Sequence, residues 1–306
     1  MNYRIPPFLK KGSLIGITAT ARKVSPEELA PAIKALQAKG FRVLPGIHLY
    51  ASDHQYGGTD EQRQESLQAL LDHPEVEAIL CARGGYGSMR ILSGLNFEGL
   101  KTFPKWVVGF SDITCLHAAI LQQEMSSIHG PMAFSFDQNR TDGESKKRLI
   151  QVLKGDILPV EYRHIPLPPI KRDGVAEGTL IGGNLSILNQ LSGTPWQPNP
   201  KGKILFLEDL DEYLYHLDRM MIHLKSAGWF DGLAGMVIGH FSDMKDNPIP
   251  FGRNAYEIIA DAIRPYDFPV AWHFPAGHQK NNYPLLIGGH YQLKVVGHRV
   301  ELVYLG

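Results

Sequence analysis

The feature that most constrains this chain is an alternation in its first half, where short apolar runs are separated by stretches of helical period. Leu14-Ile-Gly-Ile-Thr-Ala19 reads as a strand. Ser25-Pro-Glu-Glu28 reads as a helix start, with Ser25 as the cap, Pro26 at the first helical position and Glu28 placed to close a capping box. Leu29, Ile33 and Leu36 share one face of that helix, Gly40 stops it, and Phe41-Arg-Val-Leu44 resumes as a strand. Thr59-Asp-Glu-Gln62 repeats the capping spacing ahead of Leu67, Leu70 and Leu71. Val76–Cys81 is a third strand, leading into Arg83-Gly-Gly-Tyr-Gly87 and a short helix from about Ser88. Trp106-Val-Val-Gly-Phe110 is a fourth, followed by a helix over about Thr114 to Gln123. Repeated βα units predict a parallel sheet with helices on both faces, because each crossover must carry the chain back over the sheet.

Beyond Leu158 the pattern changes. Pro159, Pro166, Pro168 and Pro169 interrupt any regular element, so residues 156–173 read as a linker between a domain at 1–155 and another at 174–306. In the second half, strands are expected at 174–180, 203–207, 236–241 and 270–274, and helices at about 213–227 and 254–263. Tyr291–Val296 and Val300–Tyr304 form an expected hairpin turned at Gly297-His-Arg299. This half reads as a smaller, mixed α/β or barrel-like domain.

With 306 residues, each domain can bury its own core. Lys plus Arg equals Asp plus Glu at 31 each, so no overall field favours nucleic acid or an anionic membrane. Lys146-Lys147-Arg148 reads as a solvated helix face. Cys81 and Cys115 follow apolar runs, which predicts buried thiols in a reducing compartment, and no activating motif surrounds Cys115. The start of the chain has no signal-peptide core and no run is long enough to span a membrane, so the expected location is cytoplasmic.

Reactive groups gather at strand ends. Ser111 closes the Trp106 strand, the place where α/β enzymes set reactive side chains. It is not a Gly-x-Ser-x-Gly motif, since Ile113 holds the second glycine's place, and Ser111 or Asp112 equally fits a helix cap. Backbone amides of Gly85 and Asp112 are candidates for an oxyanion hole, with a tight turn or a phosphate cradle as competing readings of the glycine run. Glu208 ends the Ile204-Leu-Phe-Leu strand beside Asp209 and Asp211, which also reads as an exposed acidic loop. His278 lies in a loop after Pro275-Ala-Gly277. If these three meet, Nε2 of His278 takes the Ser111 proton while Nδ1 donates to Glu208, as in a serine hydrolase. Arg83 is a candidate clamp for a free carboxylate, or a surface ion pair. Gly84 and Tyr86 are grouped with it as substrate contacts, and Asn184 either contacts substrate or caps the Leu185 helix. His216 and His223 lack metal-ligand spacing, and neither metal nor cofactor is expected.

Arg83-Gly-Gly-Tyr-Gly87, Gly109-Phe-Ser-Asp112, Gly182-Gly-Asn184, Leu207-Glu208 and Gly277-His278 together resemble the LD-carboxypeptidase family, the muramoyltetrapeptide carboxypeptidases. The similarity runs from the Leu14 strand through Gly288. It implies a flavodoxin-like doubly wound domain and a smaller barrel-like domain with the active site between them. It also implies Ser111 as nucleophile, His278 as general base, Glu208 as its orienting acid, and a homodimer. The implied substrate is a murein tetrapeptide, cut between an L-centre and a terminal D-alanine during cell-wall recycling. Two segments depart from the family pattern. Thr18-Ala-Thr-Ala21 stands where relatives often have a Pro-Ser turn, and Asn281-Asn-Tyr-Pro-Leu-Leu-Ile-Gly288 replaces a commoner Leu-Pro-Leu-Gly ending.

Two other readings compete. One is hydrolysis of a peptidyl or aminoacyl nucleotide, as in microcin C immunity proteins, for which Trp196 is the candidate aromatic shelf. The other is a non-catalytic ligand-binding module, since a fold alone does not establish activity.

Overall fold

The computed structural model describes residues 3–137, 139–164 and 169–306, and the chain divides into two compact units. Unit one runs through Ile157 and also takes Lys280–Ile287; unit two comprises Leu158–Gln279 and Gly288–Gly306.

In unit one, strands β1 (Leu14–Thr18), β2 (Arg42–Pro45), β3 (Val76–Cys81), β4 (Trp106–Gly109) and β5 (Ser127–His129) are all parallel, in the order β2-β1-β3-β4-β5. That is the flavodoxin-like order, with its switch point between β1 and β3, where crossovers leave toward opposite sides. Helices α1 (Pro26–Ala38), α2 (Asp60–Asp72), α3 (Ser88–Ile91), α4 (Glu98–Thr102), α5 (Thr114–Gln122) and α6 (Gly143–Leu153) complete the unit. Both predicted capping boxes form, at Ser25 with Glu28 and at Thr59 with Gln62. β3 and β4 are buried almost along their whole length, as a central parallel strand covered on both faces must be. Cys81 and Cys115 are fully buried, and burial pushes the Cys81 thiol up to about 12.

Unit two holds a seven-stranded mixed sheet. β6 (Val160–Arg163), β7 (Gly174–Asn184), β8 (Ile204–Leu210), β9 (Gly235–Ser242), β10 (Val270–Ala271), β12 (His290–Val296) and β13 (Arg299–Tyr304) run in the order β10-β9-β8-β7-β12-β13-β6. From β10 to β7 the pairs are parallel; from β7 to β6 they are antiparallel. Helices α7 (Leu185–Leu191), α8 (Leu214–Ser226) and α9 (Ala255–Ile263) accompany it.

Two expectations are corrected. Part of the proposed linker is β6, an edge strand whose outer side makes no ladder, so neighbouring prolines do no harm there. Residues 165–168 of that linker, with Pro166 and Pro168, lie outside the described residues. Second, residues 280–287 belong to unit one, because Leu285–Ile287 forms β11, antiparallel to β5. Among the described residues no helix is long and apolar enough to cross a membrane.

Candidate active site

Unit one holds a strained turn. β4 ends at Gly109, and Ser111 takes a φ of 64°, a region that residues with a Cβ avoid. A 3₁₀ turn over Ser111–Ile113 leads straight into α5, and neither start carries a side-chain cap hydrogen bond, so the capping reading of Ser111 does not hold. Beneath the turn His117 is fully buried, with Nε2 2.9 Å from the Gly109 carbonyl and Nδ1 2.8 Å from Ser127 Oγ. A carbonyl only accepts, so Nε2 carries the proton and the Ser127 hydroxyl donates to Nδ1. Burial pulls this imidazole down to about 4, and it stays neutral as a brace for the strand end.

The glycine run packs on the same turn. A Cβ built on Gly84 would lie 3.1 Å from Ser111 Cβ and 3.3 Å from its Oγ. Asp112, 1% exposed, accepts a 2.7 Å bond from the Ser88 amide, and Ser88 Oγ in turn donates to Thr20 Oγ1. Burial raises the Asp112 carboxyl, partly offset by the bonds it accepts from Ser88 and Gly87. Arg63, fully buried and paired with Asp60, donates 2.8 Å bonds to the carbonyls of Thr20 and Gly87. The loops after β1, β3 and β4 are thus tied together at one sheet edge. Among the described residues, neither the Gly85 nor the Asp112 amide is engaged by another group.

Unit two holds a hydrogen-bonded carboxylate–imidazole pair. Glu208 is completely buried inside β8, and its Oε2 lies 2.6 Å from Nδ1 of His278. The carboxylate accepts, so Nδ1 carries the proton and Nε2 is left as the basic nitrogen. Burial pulls the His278 pKa down, but the charge and hydrogen bond of Glu208, helped by Asp209, outweigh it and the net shift is upward. The approach depends on Gly277, whose φ is 117° and where a Cβ would stand 2.8 Å from Glu208 Oε2. Ser242 Oγ donates to the His278 carbonyl and accepts from Gln279 Nε2, which anchors the loop.

Residues 15–130 match the LD-carboxypeptidase N-terminal domain and residues 177–293 the LD-carboxypeptidase C-terminal domain. A probable murein peptide carboxypeptidase of Bacillus subtilis is 34% identical, over 94% of this chain and 90% of its own length. The chain belongs to the LD-carboxypeptidase family. Membership makes it a hydrolase of the carboxypeptidase class. The crystal structure of a muramoyltetrapeptide carboxypeptidase from Oxalobacter formigenes superposes with a TM-score of 0.86 at 29% identity, covering 96% of this chain and 99% of that one. The microcin C7 self-immunity protein MccF gives the same TM-score at 23% identity over the whole of both chains, which shows a shared fold.

Within this family member the acidic-loop reading of Glu208 fails. Glu208 and Asp209 are both buried in β8, and only Asp211 is exposed, paired with Lys245. Asn184 forms the cap that the sequence allowed: it is buried, its Oδ1 caps α7 at Ile187 and accepts from Ser186 Oγ, and its Nδ2 donates to Asp209. Arg83 is partly exposed, 3.7 Å from Glu28, and stacked on Phe134. Tyr86 is 44% exposed beside Tyr56. Trp196 is half-buried, its amide on Thr194 Oγ1. Sequence reasoning missed Asp209, whose carboxyl burial and Glu208 together raise to about 7. Leu210 was the available signal: an apolar residue after two acids shows that the strand continues through them.

Proposed function

We propose that the protein is a serine LD-carboxypeptidase that releases the terminal D-alanine from murein tetrapeptides. The observation that carries this reading is the 2.6 Å pairing of His278 Nδ1 with a fully buried Glu208, which presents Nε2 as a base. Ser111, held in a left-handed turn, is the nucleophile.

In the proposed cycle, catalysis joins Ser111 to His278. Ser111 Oγ attacks the carbonyl of the L-centre, and His278 Nε2 takes its proton. The Gly85 and Asp112 amides, neither engaged elsewhere among the described residues, hold the oxyanion. His278 then protonates the amine of the departing D-alanine, and the acyl-serine is hydrolysed by water that His278 deprotonates in turn. Arg83 meets the peptide's terminal carboxylate. Names of similar proteins support this choice of substrate, since one is a probable murein peptide carboxypeptidase and another a muramoyltetrapeptide carboxypeptidase. The protein acts as a cytoplasmic homodimer in this reading, which sedimentation analysis and cell fractionation check.

The test is mass spectrometry of synthetic tetrapeptides ending in an LD or a DD bond. Loss of one D-alanine from the LD peptide alone is expected. Cleavage of a peptidyl nucleotide with both tetrapeptides left intact would transfer the chain to the other substrate class.

A further inference from the structure

We infer that Tyr162 and His164 are positioning residues for His278: they clasp Trp272, at the start of the run that carries His278, and the clasp holds only while His164 is neutral. The inference goes beyond the carboxypeptidase reading and rests on it only for the role of His278 as base.

β6 and β10 are the opposite edges of the unit-two sheet, yet side chains join them. Tyr162 lies in β6 and His164 directly follows it, while Trp272 directly follows β10 and is fully buried. Tyr162 Oη donates 2.7 Å to the Trp272 carbonyl, and the Trp272 amide donates 3.0 Å to Nε2 of His164. Trp272 Nε1 adds a 3.0 Å bond to the Ile170 carbonyl. The sheet is thus closed on one residue, gripped at both its backbone groups.

β10 alone gives that residue little support, since it pairs with β9 only at Val270 and Ala271. His273 then takes a φ of 56°, a left-handed value that a residue with a Cβ keeps only where its surroundings enforce it. Its ring lies 4.1 Å from that of Tyr256, and Phe274 beyond it is fully buried, edge-on to Tyr162 at 5.9 Å between centroids. The Phe274 amide donates to Ile238, the Ala276 carbonyl accepts from His240, and Gly277 and His278 follow. The clasp therefore fixes the start of a strained run whose far end must keep Nδ1 of His278 2.6 Å from Glu208.

Protonation would undo it. His164 Nε2 accepts from an amide, so the ring proton sits on Nδ1, which meets no acceptor among the described residues. A proton added at Nε2 would set N–H against N–H and bury a charge in a ring only 3% exposed. Burial pulls this imidazole down to about 4, aided by His273 after β10 and His298 from the β12–β13 turn, and opposed by Asp173 ahead of β7. Tyr162 faces the ring edge-on, while His240 of β9 and Tyr256 of α9 act one step removed, on His273. In an opened clasp the ring returns to the ordinary histidine value of 6.5. The folded value is the lower one, so the closed form is fully favoured above 6.5 and loses ground as pH falls toward about 4.

Hydrogen exchange of the Trp272 amide, corrected for intrinsic rate, reads the clasp without substrate. Between about pH 7.5 and about pH 5, wild-type protection should fall about 30-fold, the ratio set by the closed and open values. His164→Gln, whose Oε1 accepts in place of Nε2 and does not titrate, should show no such fall. Constant protection in wild type, or the same fall in His164→Gln, overturns the clasp. Positioning is read by kinetics at about pH 8: His164→Ala should lower kcat on an LD-tetrapeptide by roughly 10- to 100-fold with KM changed less than about threefold, and His164→Gln should restore it. Tyr162→Phe deletes one hydroxyl and should lower kcat alone on a smaller scale, so it serves if His164→Ala does not fold. Wild-type kcat in Tyr162→Phe and His164→Ala, or a loss confined to KM, overturns the positioning role. If wild type cleaves no tetrapeptide, the carboxypeptidase reading falls and exchange still decides the clasp. The NMR signal of the His278 Nδ1 proton then decides positioning: a shift in Tyr162→Phe upholds it, and an unmoved signal overturns it.

Discussion

The two units prepare their reactive groups by opposite physical means. Around Ser111 the work is done by backbone: a left-handed φ, a glycine run against the side chain, and strand ends tied by Arg63, Asp112 and His117. Around His278 it is done by side-chain electrostatics: a buried carboxylate fixes the tautomer and raises the imidazole. Backbone strain does not change with pH, whereas a charged pair does. The first region should therefore answer to changes in chain flexibility and the second to changes in charge.

The largest expected effect tests the strained side. Ser111→Gly removes the proposed nucleophile and relieves a left-handed conformation that glycine adopts freely. Turnover of an LD-tetrapeptide should drop by roughly 10⁴-fold or more, while strain relief of about 1 kcal/mol should offset glycine's extra chain entropy. Steady-state kinetics and thermal melting read both. Retained turnover would remove Ser111 from the mechanism, and a large fall in stability would show that the turn is not strained.

Next comes the charged side. Glu208→Gln should cost on the order of 10⁴-fold in kcat, the scale seen when a triad carboxylate becomes an amide. The pH profile carries the sharper information. A base must be neutral, so kcat/KM falls as pH drops through the His278 pKa, and in wild type that limb lies above the ordinary histidine value because the net shift is upward. Without Glu208 the downward pull of burial faces only Asp209, and the limb should move to lower pH. A limb that stays in place would mean that Glu208 does not set the protonation of His278.

Gly277→Ala crosses the two modes, since it perturbs the charged pair through backbone. A Cβ would crowd Glu208 Oε2 at a φ that alanine resists. Displacing the imidazole by about 1 Å should lower kcat by roughly 10²-fold, with the acid limb shifted as in Glu208→Gln but less far. Unchanged kinetics would show that the loop accommodates a methyl group without moving His278.

What the sequence made legible follows the same division. Helix starts were readable because capping boxes are local, and Ser25 and Thr59 form them as the spacing requires. Ser111 was readable because a polar residue ending a buried strand is a local signal. Three-residue strands such as β5 and β11 were not, because so short a run owes its pairing to distant partners. Nor could periodicity decide whether Glu208 and Asp209 were exposed, since burying adjacent carboxylates depends on His278 and Asn184, each distant in sequence.

The smallest effect concerns Asn184, which marks where electrostatic preparation of unit two stops and ordinary stability begins. Its amide caps α7 through the Ile187 N–H and also donates 2.8 Å to Asp209 Oδ1. Asn184→Ala deletes both contacts. Loss of a helix cap costs about 1 kcal/mol, and Asp209, already raised to about 7, rises further when a donor to its charged form disappears. A more protonated Asp209 weakens one upward influence on His278, though not the leading one, which belongs to Glu208. Stability should therefore fall measurably in a denaturant titration, with kcat and KM for the tetrapeptide changed by no more than about threefold, roughly 0.6 kcal/mol. A tenfold rise in KM at preserved stability would instead place Asn184 against the substrate and undo its assignment as a cap.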